Sequence, residues 1–295
     1  MKIVHHNDAD GKCAAFLVLQ SAFHDDGEAI EFIQMNYDKK FPLEKIIPGE
    51  QVYIVDYSIE PDEMRALLAV AGDIVWIDHH ITAIEKYKGF EYDVSGIRMD
   101  GIAACMLTWV YLNKMTFGGI GEVLAFHPNM CSDAPVFVKF IADNDVWKFE
   151  HGDTTRYFCT ALNSTDMRPD GEIWKALVNR RGYTWELVED GKTMMKFRDG
   201  WAAGYMKIGF ETEFEGHLCY ACNLGKCNSD FFKSLPKGKY DILMPFVFNG
   251  DCWNVSLYSE KVDVSEIAKK YGGGGHKGAS GFHCDALPFK KKVAE

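Results

Sequence analysis

The stretch DIVWIDHH, Asp73–His80, decides the fold. Its run Ile74–Ile77 reads as a buried strand, and it closes on Asp78, His79 and His80. The same pattern recurs twice. QVYIVDYS (51–58) is a second buried strand with Asp56 near its end, and KIVHHNDADG (2–11) opens the chain with a short strand followed by His6, Asp8 and Asp10 at alternate positions. Helices fall between and after these strands. GKCAAFLVLQSAFH (11–24) has helical length and no internal Gly or Pro, and EPDEMRALLAVAG (60–72) has Pro61 in its first turn and Gly72 at its stop. GIAACMLTWVYLNKM (101–115) is a further helix. Strands alternating with helices predict an α/β fold whose mostly parallel sheet is covered on both faces. In such sheets functional side chains collect at the carboxyl ends of strands. Three strand ends carrying acids or histidines are more than chance supplies.

The bulk properties fit a folded enzyme-sized chain. It has 295 residues, 47% hydrophobic and 14% aromatic, enough for one large domain or two ordinary ones. Its 32 basic and 43 acidic residues leave a net charge of −11, which argues against coating long duplex nucleic acid through a broad basic face. A small anionic substrate stays open, because bound divalent cations reverse the local field. The opening MKIV runs into a polar motif, so no secretory leader is expected, and no apolar run is long enough to cross a bilayer. The nine scattered cysteines, most among apolar neighbours, suit a reducing cytoplasm. Cys219, Cys222 and Cys227 are close enough to suggest zinc, but no second ligand pair follows, and HLCYACNL alternates as a strand does.

After residue 152 the character changes. Residues 153–206 are helical and rich in charge and read as a connector, and 207–295 as a smaller mixed-sheet α/β domain. There YDILMPFVF and DCWNVSLYS are strand-like around NGD, a hairpin signal. VDVSEIAKKYGGGG is a helix with Asp263 as N-cap and Glu266 in capping-box spacing. It ends in GGGGHKGASGF, read as a glycine loop.

The acids and histidines suit hard or borderline divalent ions, and manganese takes both carboxylate and imidazole. Two such ions about 3.5–4 Å apart generate hydroxide and clamp the in-line displacement when phosphoesters are split. That device takes about six ligands. His6, Asp8, Asp10, Asp56 and His79 supply five, and IADNDVWKF supplies Asp143 or Asp145. Asp78 and His80 are left to orient a ligand or to meet the transition state. In the glycine loop, Gly272–Gly275 allow close backbone approach to an anion, beside donors on His276, Lys277 and Ser280.

Together these residues resemble the DHH superfamily of phosphoesterases, in its branch with a C-terminal DHHA1 domain. HNDADG is similar to the first motif, Asp56 to the second, Asp78–His80 to the third and ADND to the fourth, while GGGGHKGASGF resembles the DHHA1 signature. The order agrees over nearly the whole chain. The resemblance implies two lobes: a DHH catalytic domain (1–152) carrying two Mn²⁺, with Mg²⁺ or Co²⁺ as substitutes, and a DHHA1 domain (207–295) that binds substrate, the two lobes flanking a cleft. It implies His6, Asp8, Asp10, Asp56, His79 and Asp143 as metal ligands, with Asp56 bridging. Asp143 is preferred to Asp145 for its distance to the downstream WKF. His80, with Asp78, falls near the scissile phosphate. Gly273, Gly274, Gly275, His276 and Lys277 match the loop that holds a terminal phosphate or base.

The chain departs from the pattern at Tyr258, which stands in SLYS where many members have arginine. Tyrosine stacks on a base or donates one hydrogen bond but makes no bidentate phosphate contact. Within the superfamily, an acidic chain without added nucleic-acid modules resembles the short-oligoribonucleotide hydrolases and cyclic-nucleotide phosphodiesterases. The expectation is a cytoplasmic phosphodiesterase, a monomer or homodimer, acting on short oligonucleotides or small nucleotides and binding neither long duplexes nor membranes. The competing readings are a pyrophosphatase, polyphosphatase or 3′-phosphoadenosine 5′-phosphate phosphatase, and an inactive nucleotide-binding sensor.

Overall fold

Strand β1 (Lys2–His6) takes the centre of a parallel sheet in the computed structural model, which describes residues 1–22, 29–36, 40–114 and 128–291. Helix α1 (Ala9–Ala22) follows it, then β2 (Glu31–Met35), β3 (Val52–Val55), α2 (Pro61–Leu68) and β4 (Ile74–Ile77). The strand order is β2-β1-β3-β4, all parallel. The register sets His5 opposite Val55 and Val55 opposite Ile77, so the carboxyl ends of β1, β3 and β4 lie level on one edge. Phe23, His24 and Met115, which the sequence reading places in helices, lie outside the described residues.

Both faces of the sheet are covered. Ile3, Val55, Val75 and Ile77 pack with α1 and with the helices α4 (Ala104–Lys114) and α5 (Val136–Asp145). Val4, Ile54 and Trp76 face the other way, against Met64 and Leu67 of α2 and Ala83 of α3 (Ile81–Lys86). Two buried layers explain why β4 reads as unbroken IVWI rather than as an alternation. Pro61 opens α2 after a capping box between Glu60 and Glu63.

The chain divides into two compact units, Met1–Met194 and Met195–Glu295. Helices α6 (Asp153–Leu162) and α7 (Glu172–Asn179), within the segment read as a connector, bury Phe158, Leu162, Trp174 and Leu177 in the first unit's core, as α8 (Tyr183–Tyr205) does with Leu187 and Val188. Their amphipathic faces pack on a domain rather than span open space.

The second unit carries a mixed sheet of β5 (Phe210–Phe214), β6 (His217–Asn223), β7 (Ile242–Phe248), β8 (Trp253–Tyr258), β9 (Gly274–His276) and β10 (Ala279–Cys284), in the order β5-β6-β7-β8-β10-β9. The β7–β8 hairpin turns where NGD lies, with Asn249 Oδ1 accepting from the backbone of Asp251 and Cys252, both at 2.9 Å. Helix α9 (Val264–Lys270) is capped by Asp263, which accepts from Ser265 N, and packs Val264, Ile267 and Ala268 against Leu257 and Phe282. Cys219 and Cys222 are buried in β6.

The glycine run departs from its reading as a loop. Gly274–His276 form edge strand β9, paired antiparallel with β10. A Cβ on Gly273 would come within 2.1 Å of Gly281 O, and one on Gly275, at φ 140°, within 2.7 Å of Ala279 O. Those two glycines let the chain fold onto its own strand. Gly274 has open space around its Cβ position and no such packing demand.

Candidate metal centre

The level strand ends bring the acids and histidines together. His6 closes β1, and the turn after it directs Asp8 back so that Asp8 Oδ2 lies 2.7 Å from His6 Nδ1. Asp8 Oδ1 accepts from Gly11 N at 2.9 Å, and a Cβ on Gly11 would strike His6 O at 2.6 Å, so only glycine lets α1 start this close to the strand. Asp10, in the first turn of α1, accepts from Ala104 N and Cys105 N, both at 2.8 Å, and so ties α1 to the start of α4.

Asp56 follows β3 with a left-handed backbone, φ 55°, a conformation that costs free energy and persists where the surroundings enforce it. Here Asp56 N–H donates to Ile77 O at 2.9 Å, continuing the sheet. Its carboxylate lies between two sets of ligands: Oδ2 is 3.7 Å from His6 Nδ1, and Oδ1 is 3.3 Å from His79 Nε2. His79 Nε2 is also 3.8 Å from Asp10 Oδ2 and 3.4 Å from Asp145 Oδ2. Three sets of donor atoms therefore lie within 4.8 Å of one another: His6, Asp8 and Asp56; Asp56, His79 and His80; Asp10, His79 and Asp145. Asp56 belongs to two of them, as a bridging carboxylate does.

The fourth motif is corrected by the geometry. Asp143 does not enter the cluster. Its carboxylate accepts from Glu150 N (2.7 Å), His151 N (3.2 Å) and Thr155 Oγ1, and so folds the chain after α5 back onto α6. Asp145 reaches His79 instead. The two acids lie two residues apart on α5, about 200° around the helix, so only one of them can face the cluster.

Asp78 is fully buried beneath His80. Its Oδ1 accepts from His79 N (2.8 Å) and lies 2.7 Å from His80 Nδ1, and its Oδ2 accepts from Ser58 Oγ at 3.1 Å. Sequence reasoning missed Ser58, which carries no motif signal.

The electrostatics are those of crowded, buried carboxylates and imidazoles. Burial pushes the Asp56 carboxyl well above the carboxylate range, with His6 opposing and Asp8 and Asp145 adding. Burial and the neighbouring Asp56 raise Asp10 to about 7, and burial and Asp10 raise Asp145 to about 7. The carboxylates of Asp56, 3.7 Å away, and of Asp8, 2.7 Å away, lift His6 to about 10. Burial works against Asp8, but His6 and Gly11 N hold it down at about 2. His80 rises to about 8, chiefly through Asp78. Both oxygens of Asp56 and Oδ2 of Asp145 are buried without a hydrogen-bond partner. Buried carboxylate oxygens without donors are costly, and a divalent cation is the partner that fits them. Acids with imidazoles and no thiol suit Mn²⁺, Mg²⁺ or Co²⁺ better than a closed structural zinc site.

The residues expected to bind substrate lie in the second unit. Gly274, Gly275, His276 and Lys277 are exposed along β9 and its turn, with Lys277 O accepting from Val264 N. Tyr258 on β8 and His276 on β9 both pair with Ala279 of β10, one from each side, and so stand about 10 Å apart across the sheet. Tyr258 donates its hydroxyl to Cys227 O at 2.7 Å, and with Phe232, Lys237, Tyr240 and Lys261 it lines a cavity of about 400 Å³.

Comparison with known proteins bears on the fold. The pGpG-specific phosphodiesterase PggH from Vibrio cholerae superposes with a TM-score of 0.56 at 13% identity, covering 96% of this chain and 92% of that one. This chain accordingly has a DHH-type fold. The exonuclease RecJ bound to manganese aligns at a TM-score of 0.48 and 11% identity, over 96% of this chain and 85% of that one. The uncharacterized protein R106 of Acanthamoeba polyphaga mimivirus is 24% identical over 280 residues, 87% of this chain. The chain spans 59% of the length of that curated relative. No protein-family model matches the chain. Among the described residues no helix is long and apolar enough to cross a membrane.

Proposed function

We propose that the chain is a metal-dependent phosphodiesterase acting on short oligonucleotides or small nucleotide phosphoesters. The observation that carries this reading is the convergence of His6, Asp8, Asp10, Asp56, His79 and Asp145 around buried Asp56 oxygens that have no hydrogen-bond partner. Those six side chains would hold two divalent ions, Mn²⁺ first. When bound, the ions supply Lewis-acid activation of water and neutralise charge on the phosphoryl oxygens. Asp78 fixes the His80 ring through Nδ1 and, in the metal-free protein, favours its protonated form, which can donate to a phosphoryl oxygen or a leaving group. The exposed donors of β9, with Gly274 open to close approach, suit a terminal phosphate in the substrate-binding unit. The substrate class follows the fold neighbour, a phosphodiesterase specific for pGpG.

The test is release of mononucleotide from a 5′-phosphorylated RNA dinucleotide with Mn²⁺, beside pyrophosphate, 3′-phosphoadenosine 5′-phosphate, cyclic AMP and a 20-mer DNA. Preferential turnover of the dinucleotide supports the reading. Turnover of pyrophosphate alone moves the chain to inorganic substrates. Absence of turnover of the whole panel, with two Mn²⁺ bound by calorimetry, removes the substrate class and keeps the metal centre.

A further inference from the structure

Trp147 is 74% exposed, yet the turn that carries it is tightly built. Its N–H donates to Asn144 O at 3.2 Å, and the next residue, Lys148, donates its N–H to Asp143 O at 3.2 Å. The Asp143 carboxylate then gathers Glu150 N and His151 N. Trp147 and Phe149 both take left-handed backbone, at φ 55° and 51°, which large side chains adopt only where the surroundings hold them. The indole meets Phe149 edge-on at 5.5 Å, and the Arg156 guanidinium covers the Phe149 ring at 3.9 Å. The result is an indole braced from one side and presented to solvent. It follows Asp145 by two residues and so lies within about 7 Å of it along the backbone.

A braced, exposed indole two residues along the chain from Asp145 of the carboxylate–imidazole cluster offers a flat face to a planar ligand. Nucleobases stack on such faces with little regard to sequence, and an inorganic phosphate has no surface to use it. We infer that Trp147 is the platform on which a nucleobase of the substrate stacks, setting the adjoining phosphodiester at the metal site that Asp10, His79 and Asp145 would form. The inference rests on the phosphodiesterase reading above and names the group that distinguishes nucleotide from inorganic substrates. It also gives Asp143 a purpose: the carboxylate that leaves the metal cluster holds the platform.

The test uses the full chain with Mn²⁺ and compares unsubstituted protein, Trp147→Ala and Trp147→Phe. The substrates are a 5′-phosphorylated RNA dinucleotide and its abasic analogue with the same phosphates and sugars. Stacking predicts that Trp147→Ala lowers kcat/KM for the dinucleotide about ten- to hundred-fold relative to the abasic analogue, mostly through KM, and that Trp147→Phe recovers most of it. A second readout needs no turnover: a phosphorothioate dinucleotide should quench the emission that Trp147→Phe removes, and the abasic phosphorothioate should not. Dinucleotide turnover by unsubstituted protein with an unchanged substrate ratio in Trp147→Ala overturns the platform and leaves the function. Quenching without turnover removes the function and keeps the platform. Absence of dinucleotide-specific quenching overturns the platform whatever the turnover.

Discussion

Asp78 Oδ1 lies 2.7 Å from His80 Nδ1, with Asp78 fully buried and His80 half-exposed above it. The carboxylate therefore acts on the ring from beneath. It is the chief reason that His80 sits at about 8 rather than near its ordinary value of 6.5. Replacing Asp78 by Asn keeps the shape and removes the charge. We expect the His80 titration, followed by NMR in the metal-free protein, to move down toward 6.5. We expect kcat to fall roughly 100-fold, the lower end of the range a general acid contributes. Mn²⁺ affinity should change far less than kcat, and an equal loss of both would make Asp78 a support of the metal ligands instead.

Asp145 and Asp143 should respond to substitution in opposite ways. Asp145→Asn removes a charged donor beside His79 and should weaken Mn²⁺ binding by about 10- to 100-fold or more, with little loss of fold stability. Asp143→Asn should leave the stoichiometry of bound Mn²⁺ unchanged. It weakens charge-assisted bonds to two backbone N–H groups and Thr155, at a cost of about 1.5–3 kcal/mol. Calorimetric titration and thermal unfolding of both variants separate the two roles.

Asp10 serves the cluster and the fold at once, because both its oxygens accept from the first N–H groups of α4. Asp10→Ala leaves those N–H groups buried without an acceptor. The metal-free variant should lose about 1–3 kcal/mol of stability in denaturant unfolding. Asp145→Ala, which deletes a carboxylate repelled by Asp10, should leave the metal-free protein as stable as before or more so.

The metal-free protein should become less stable as pH rises from about 5 to about 8. The folded carboxyls of Asp10 and Asp145, at about 7, and of Asp56, shifted upward, hold protons that the unfolded chain has released. Their contribution is full below the unfolded carboxylate range and is lost as pH passes the folded values. His6, at about 10, and His80, at about 8, act with the same sign at higher pH, whereas buried His5, shifted downward, opposes them. Asp8, held at about 2, is ionised throughout this window and contributes no slope. Saturating Mn²⁺ should reverse the trend, because cations replace protons on the same oxygens. Melting temperatures at pH 5, 6.5 and 8, with and without Mn²⁺, check the sign.

The sequence by itself determined the sheet and its functional edge. Short buried runs such as IVWI, set between helical stretches, read as interior strands, and the polar residues that end them come together once the strands run parallel. Pro61 and Asp263 likewise marked helix starts by local chemistry. Strand β2, with the exposed or half-buried Glu31, Phe32 and Gln34, carries too weak a pattern to be read, and its place beside β1 comes from pairing alone.

Tertiary structure decided what local pattern leaves ambiguous. Asp143 and Asp145 are the same residue type on one helix, and a motif cannot tell which side of α5 faces the strand ends. The packing of α5 on α6, with Thr155 and two backbone N–H groups waiting for an acceptor, turns Asp143 inward and leaves Asp145 to His79. The same holds for the glycine run that leads into β9: a missing Cβ permits close approach, and only the fold reveals that at Gly273 and Gly275 the approaching group is the chain's own strand β10.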